Sequence, residues 1–245
     1  MSTIAPPGAA PRAVGDAQVA PTAALLADPA RVAMLWALSD GRALPAGALA
    51  EVARVGAPAA SAHLAKLTTA GLLAGERHGR HRYYRLANAA VVAALEALAA
   101  VAPPARAASS KEAHAASGLR LARMCYDHLA GALGVRVTDA LVAHGALRVD
   151  GRSYAVTETG VGRFAELGVD VAAVREAARR TRRPLARTCL DWSERRYHLA
   201  GALGAALAGR LLDAGWVERT PAARTLRVTN AGRRALRREF DVQLL

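Results

Sequence analysis

The stretch from Gly56 to Leu86, GAPAASAHLAKLTTAGLLAGERHGRHRYYRL, constrains the fold more than any other part of the chain. Leu64 and Leu67 have the spacing of the buried face of a short helix. Gly71 can end that helix, because glycine tolerates the left-handed cap. Two short runs suited to strands follow, and a basic tip separates them. A helix followed by a hairpin with a cationic tip predicts a winged helix-turn-helix, whose helix suits the major groove and whose wing suits phosphates or the minor groove.

The helix and the tip contain the side chains that we expect to contact DNA. Three polar side chains of the helix lie off its buried face, and the tip is rich in arginine and histidine. A basic hairpin taken alone is equally compatible with a solvated turn, so the combination with the helix carries the interpretation. The candidate DNA-binding residues are Ser61, His63, Lys66, Arg77, Arg80, His81 and Arg82.

The pattern S-x-H-L-x-x-L-x-x-x-G-L-L, followed by R-H-G-R-H-R-Y-Y-R-L, resembles the arsenic-repressor (ArsR-type) family of winged-helix transcriptional regulators. The resemblance covers about residues 24–100. It implies a homodimer that binds a double-stranded DNA operator and releases it when an effector binds or reacts. Ala57, Ala59 and Ala60 stand where that family commonly has Ser or Thr. We therefore expect fewer direct base contacts and a larger share of affinity from phosphates.

The charge balance also favours an anionic partner. The 245 residues include 33 basic and 20 acidic side chains, for a net charge of +13, and nucleic acid is the first partner to consider. Two cysteines do not make a disulfide framework, so the sequence predicts a cytoplasmic protein. We identify no signal peptide and no apolar run that could span a membrane.

Taken along the chain, composition and hydrophobic pattern predict a mainly α protein with small β-hairpins. We expect a disordered tail at 1–20, a winged helix-turn-helix domain for DNA binding and dimerisation at 21–102, a linker at 103–118 and a C-terminal region at 119–245. The helix predicted from Asn88 to about Ala100 has a broad apolar face. In the resembling family, the first and last helices of this domain form the dimer interface.

The C-terminal region contains an internal repeat, with copies at 119–183 and 184–245. Cys125-Tyr126-Asp127 precedes the string HLAGALG at 128–134, and Cys189-Leu190-Asp191 precedes the same string at 198–204. Six residues, Trp192–Tyr197, are inserted in the second copy. Each copy is interpreted as helix, helix, β-hairpin, helix, which predicts two tandem winged-helix-like repeats. An arginine-rich segment, Arg175–Arg183, joins them.

Any sensing chemistry is expected in this C-terminal region. The metal sites known in the resembling family have no counterpart, since the helix Pro45–Arg54 lacks cysteine and the helix 88–100 lacks histidine. The sequence therefore predicts no metal site and no cofactor, and an unknown small molecule as effector. The candidate effector residues are Cys125, Tyr126, Asp127, His128, Cys189, Asp191, Trp192 and His198.

Three interpretations of these residues remain open: small buried cysteines, a pocket for an organic ligand, and a metal or thiol redox sensor. A helix would place Cys125 and His128 on one face, whereas Cys189 and His198 could meet only if the inserted residues leave the helix. We further predict that the repeats pack together and bring the two Cys-x-Asp segments close to each other.

The predicted function is a sequence-specific DNA-binding transcriptional regulator, acting as a repressor that an effector in the C-terminal region releases. One alternative is an architectural DNA-binding protein, because seven arginines and no acidic residue occur from Arg219 to Arg238. The other is a metal- or thiol-redox-sensing repressor. No phosphate-binding glycine loop or catalytic residue set is identified, so an enzyme is not expected.

Overall fold

A computed structural model of the chain describes residues 19–79, 81–103, 109–221 and 224–244. This part is mainly helical, and its strands form small antiparallel sheets, as predicted. Residues 1–18 of the predicted tail lie outside the described residues, while Val19 and Ala20 belong to the first helix. No helix of the described ranges has the length and apolar character that a membrane crossing requires.

The N-terminal unit is a winged helix-turn-helix, and its elements follow in chain order. They are α1 (Val19–Leu25), α2 (Pro29–Ala37), β1 (Leu44–Pro45), α3 (Ala46–Ala53), α4 (Ala57–Thr69), β2 (Leu73–His78), β3 (His81–Leu86) and α5 (Ala89–Val101). The sheet has the order β1-β3-β2, with β2 and β3 forming the wing.

Local sequence signals explain these boundaries. The Asp28 carboxylate accepts a hydrogen bond from the backbone N–H of Arg31 and caps α2, whose first residue is a proline. The Asn88 side chain caps α5 in the same way, by accepting from the N–H of Ala90. Leu64 and Leu67 of α4 are fully buried, which confirms the predicted inner face of the recognition helix.

The segment 103–118, predicted as a linker, contains part of a helix, and its role as a linker stays a prediction. Residues 104–108 lie outside the described part, and α6 (Ser110–Leu121) begins within the segment and extends beyond it. Alanine is the best helix former, and three alanines, Ala113, Ala115 and Ala116, outweigh the two serines in this helix.

The C-terminal region contains the same order of elements twice: hairpin, helix, hairpin, helix. The first set is β4 (Arg123–Cys125), β5 (His128–Ala130), α7 (Gly131–Ala143), β6 (Leu147–Asp150), β7 (Ser153–Val156) and α8 (Glu158–Glu166). After α9 (Val171–Arg180), the second set is β8 (Arg187–Leu190), β9 (Tyr197–Ala200), α10 (Gly201–Asp213), β10 (Val217–Arg219), β11 (Leu226–Val228) and α11 (Asn230–Phe240). The winged-helix-like character of each copy stays a prediction.

This order corrects the helix predicted at each Cys-x-Asp segment. Cys125 and His128 lie on paired strands of a tight hairpin, in which Tyr126 has the left-handed φ of 63°. Cys189 and His198 also lie on paired strands, and most of the inserted residues belong to the longer turn at 191–196, while Tyr197 is already part of β9. A spacing of three residues fits a two-residue hairpin turn as well as a helix, so this spacing alone could not distinguish the two.

The glycine after each hairpin permits a close approach of two backbone segments. Gly131 has a φ of 75° and Gly201 a φ of 86°. A Cβ atom would lie 2.5 Å from the carbonyl oxygen of Arg120 at Gly131, and 2.7 Å from that of Pro184 at Gly201. Glycine therefore occurs in both copies of the string HLAG because the connection from hairpin to helix leaves no room for a side chain.

The Cys-x-Asp hairpins lie at the junction between the two halves of the chain. Cys125, Ala130, Cys189 and Ala200 pack into the core of the N-terminal unit. The rest of the C-terminal region has its own core, which includes residues of both copies, such as Leu133, Phe164 and Leu203. The C-terminal region is thus joined to the winged helix-turn-helix through its two hairpins.

Candidate functional site

The outward face of α4 is open along most of its length. Ser61 and Lys66 are exposed, as a DNA-contacting role requires. His63 is different, because its side chain is only 18% exposed and its Nδ1 lies 3.9 Å from the Asp28 carboxylate. His63 therefore faces the N-cap residue of α2, and Ser61 and Lys66 remain the better candidates for DNA contact.

The wing carries two arginines directly opposite each other. Arg77 and Arg82 are cross-strand partners in the β2–β3 ladder, and both are exposed. The Arg82 guanidinium lies over the Tyr84 ring, 5.4 Å from its centroid. Like charges on directly opposite positions destabilise a hairpin, so a bound anion such as a phosphate would remove this repulsion. Arg80 and the side chain of His81 lie outside what the structure describes.

The two Cys-x-Asp hairpins bring two sulfurs and two imidazoles together. Sγ of Cys125 lies 3.9 Å from Sγ of Cys189, which confirms the predicted approach of the two segments. Cys125 pairs with His128 and Cys189 with His198 across the two ladders. One potential ligand atom from each of the four lies within 4.8 Å of the other three. The sequence predicted no metal site of the kinds known in the resembling family and left a metal or thiol redox sensor at these residues as one of three open interpretations.

The four side chains are buried, and the pKa values of the two thiols are shifted in opposite directions. The contact with Cys189, together with burial, raises the pKa of the Cys125 thiol to about 12. The same contact lowers the pKa of Cys189. Burial lowers the pKa of His198. Neither ring nitrogen of His198 has a hydrogen-bond partner among the described residues, and Nε2 of His128 has none either.

A carboxylate stands beside each histidine. Oδ1 of Asp127 lies 3.3 Å from Nδ1 of His128 and also accepts a hydrogen bond from Arg183 at 2.9 Å. Oδ2 of Asp191 lies 3.6 Å from Nδ1 of His198. Burial opposes the charge on Asp191, but Arg123 and His198 nevertheless lower the pKa of this carboxyl to about 2. Both predicted aspartates therefore face the cluster from outside.

A buried charge network extends from Asp191 to the winged helix-turn-helix. Arg123 donates to Asp191 at 2.9 Å and to Glu96 of α5 at 3.4 Å. Arg224 donates to the other Glu96 oxygen at 2.6 Å, and its guanidinium lies 4.5 Å from the centroid of the Trp36 ring of α2. Sequence reasoning missed this network. Its one visible signal was Glu96, the single charged residue of α5.

The remaining predicted effector residues, Tyr126 and Trp192, lie in the turns of the two hairpins and line neither of two clefts on the described surface. Tyr126 is half-buried in the turn of the first hairpin, and Trp192 lies 5.0 Å below the Arg123 guanidinium. Two surface clefts, of about 510 and 560 Å³, lie beside α7. Neither is lined by Cys125 or Cys189. The pocket for an organic ligand at the cysteines therefore gains no support from these clefts.

Most of the arginines from 219 to 238 form ion pairs with carboxylates of the same chain. Arg219 pairs with Asp40 and Arg224 with Glu96. Arg227 pairs with Glu218 and Arg238 with Glu239. Four of the seven arginines behind the architectural alternative therefore already face a carboxylate, which weakens that alternative.

Comparisons with known proteins agree with the N-terminal fold. A family model described as a helix-turn-helix domain matches residues 26–76. YdfF of Bacillus subtilis, an uncharacterized HTH-type transcriptional regulator, is 43% identical over 226 residues, which cover 92% of this chain and 98% of the relative. KmtR of Mycobacterium tuberculosis, an HTH-type transcriptional regulator, is 45% identical over 67 residues, which cover 27% of this chain and 51% of the relative.

A solved structure is also similar. It is the homodimeric winged helix-turn-helix DNA-binding domain of a possible ArsR-family transcriptional regulator from Mycobacterium bovis. The match has 36% identity and a TM-score of 0.30, and it covers 33% of this chain and 73% of that one.

Proposed function

The chain belongs to the ArsR-type helix-turn-helix transcriptional regulators, and from this premise we propose that it is a homodimeric repressor controlled through its C-terminal region. In this proposal, α4 enters the major groove of an operator and the wing contacts the backbone. The observation that carries the DNA-binding part is the pairing of Arg77 with Arg82 on the exposed wing, which places two cations on directly opposite positions where a phosphate could contact both.

The apolar surface of two helices supports a dimer. Leu98 and Val101 of α5 are 50% and 82% exposed, whereas Val91, Val92 and Leu95 of the same helix are buried in the core. Helix α1 has no buried residue. A second copy that covers α1 and the outer face of α5 would bury this surface, and two half-sites could then be contacted one helical turn apart.

The position of the C-terminal region supports a regulatory role. Its two Cys-x-Asp hairpins pack into the core of the winged helix-turn-helix, and the network through Glu96 reaches α5 directly. A change at the hairpins would therefore act on the helix that we assign to the dimer. The eight candidate effector residues named from the sequence remain part of this proposal.

The test is a comparison of operator and random DNA over a range of salt concentrations. The protein first selects its operator from a pool of random duplexes, and binding is then measured by anisotropy. A regulator prefers the operator by at least about 10³-fold, whereas an architectural protein shows little preference. Transcription from a promoter carrying the operator should fall when the protein is added.

The wing is tested in the same assay by Arg82→Ala. Loss of one phosphate contact should weaken binding to both DNAs similarly and reduce the salt slope by about one. The matched control is Arg180→Ala, which removes an exposed arginine that pairs with Glu176 on α9. An unchanged slope for Arg82→Ala, or an equal change for the control, would argue against a phosphate contact at the wing.

A further inference from the structure

We propose that Cys125, His128, Cys189 and His198 form a four-coordinate site for a zinc-type divalent metal ion, held between the two Cys-x-Asp hairpins. Each hairpin supplies one sulfur and one imidazole from directly paired positions. The ligand types and their number are those of a Cys2His2 site, which suits zinc because thiolate and imidazole are its preferred ligands.

The spacing of the sulfurs fits a shared metal ion. Two thiolates bound to a tetrahedral ion at about 2.3 Å lie about 3.8 Å apart. The two Sγ atoms are 3.9 Å apart, and all four candidate ligand atoms lie within 4.8 Å of one another. A disulfide would require the sulfurs to approach to about 2.05 Å. The hairpins therefore hold the pair at the separation of two metal ligands.

The histidine nitrogens also support a metal ion between the hairpins. His128 and His198 are both almost fully buried, yet Nε2 of His128 and both nitrogens of His198 lack a hydrogen-bond partner among the described residues. Buried polar atoms are normally satisfied, because leaving one unpaired costs its full desolvation energy. A metal ion bound between the hairpins would satisfy one nitrogen of each ring.

The surroundings of the histidines have the arrangement found around metal sites. Asp127 lies beside Nδ1 of His128, which leaves Nε2 available as the ligand. Asp191 lies beside Nδ1 of His198 at 3.6 Å. A carboxylate on the second ring nitrogen orients a metal-bound histidine and makes it more basic. Arg183 and Arg123 in turn compensate the charges of the two aspartates.

The site would be closed. The four residues are at most 7% exposed, so four protein ligands would surround the ion with no position left for a substrate. This arrangement is typical of a structural or regulatory ion and differs from a catalytic site, which keeps one position open. Two thiolates would neutralise the two positive charges of the ion.

The test uses the full chain, reduced and stripped of metal, and does not involve DNA, so that it is independent of the proposed function. Titration with Co²⁺ should give one ion per chain, with the visible absorption of a tetrahedral cobalt site and thiolate charge-transfer bands. Zn²⁺ should then displace the cobalt and raise the melting temperature. The absence of binding, or a spectrum without thiolate bands, would overturn the proposal.

Variants separate this site from adventitious binding. Cys189→Ser and His198→Gln should each lower the affinity for Co²⁺ by more than about 100-fold, and Asp127→Asn by about 10- to 100-fold. The control is His144→Gln, which changes an exposed histidine at the end of α7 and should bind as the wild type does. Because Asp127 is half-buried at the edge of the cluster, its variant keeps the test valid if a ligand variant fails to fold.

A redox sensor predicts a different result. If the cysteines serve as a disulfide switch, mild oxidation should link them equally fast with and without saturating Zn²⁺. If they bind the ion, Zn²⁺ should protect both thiols from oxidation. Equal oxidation rates would overturn the metal site.

Discussion

At the level of single residues, α4 presents little that can distinguish one base pair from another. Ala57 and Ala59 are exposed at its N-terminal end, while Ala60 is buried against the core. Ser61 and Lys66 are therefore the main polar groups that the N-terminal and central turns offer to DNA. A hydroxyl can read a base edge, whereas a lysine of this kind contributes mainly through charge.

These two residues should consequently behave differently when replaced. We expect Ser61→Ala to lower operator affinity by about 1 kcal/mol and to leave random-DNA binding almost unchanged, because it removes one single hydrogen bond to a base edge. Lys66→Ala serves as the matched variant and should weaken binding to both DNAs and flatten the salt dependence by about one. Parallel salt titrations of the two variants measure both effects. Equal losses on both DNAs for Ser61→Ala would remove it from base recognition.

At the level of elements, α5 combines a buried face with an uncovered apolar one. Leu95 is buried in the core, whereas Leu98 and Val101 are exposed. If a second copy covers this face, Leu98→Glu should place an unpaired carboxylate in an apolar contact, which costs several kcal/mol. We expect the variant to sediment as a monomer at micromolar concentration and to bind the operator at least about 10-fold more weakly.

A suitable control for this variant lies on another helix. Val161 of α8 is also a partly exposed apolar residue, so Val161→Glu makes the same chemical change away from the proposed contact. It should leave the sedimentation coefficient unaltered. A dimeric Leu98→Glu protein would show that α5 is not the interface.

The elements also show how far the sequence could lead. The winged helix-turn-helix could be predicted because its signals are local: the Asp28 and Asn88 caps, and the leucine spacing of α4. The Cys-x-Asp hairpins could not, since strands of three or four residues are too short for alternation to show. The internal repeat predicted that the two cysteines approach each other. Their chemistry with the histidines depends on hairpin register, which became visible only in three dimensions.

At the level of the whole molecule, one carboxylate joins three distant parts of the chain. Glu96 contacts Arg123 and Arg224, which lie 27 and 128 residues further along. Such separations leave no pattern in a sequence, so Glu96 could be recognised there only as an isolated charge in an apolar helix. In the folded chain it connects α5 to both repeat copies, because Arg123 also binds Asp191.

Loss of this carboxylate should therefore be costly. Glu96→Ala removes a carboxylate that balances the charge of two buried guanidinium groups. Breaking a buried ion pair in this way costs about 3–5 kcal/mol of stability. Urea unfolding should show that decrease in the free energy of unfolding. The control Glu176→Ala removes an exposed partner of Arg180 and should change stability by less than about 1 kcal/mol. A similarly small loss for Glu96→Ala would show that the network contributes little.

The ends of this network give the protein its own optical reporters. Trp36 stacks beneath the Arg224 guanidinium, and Trp192 beneath that of Arg123. Because an indole's fluorescence responds to a nearby cation and to water, Trp36 should report whether the C-terminal region is docked on the winged helix-turn-helix, and Trp192 should report how the two hairpins pack against each other. With the other two tryptophans replaced by phenylalanine, the emission of Trp36 would follow separation of the two halves in real time, without an attached dye.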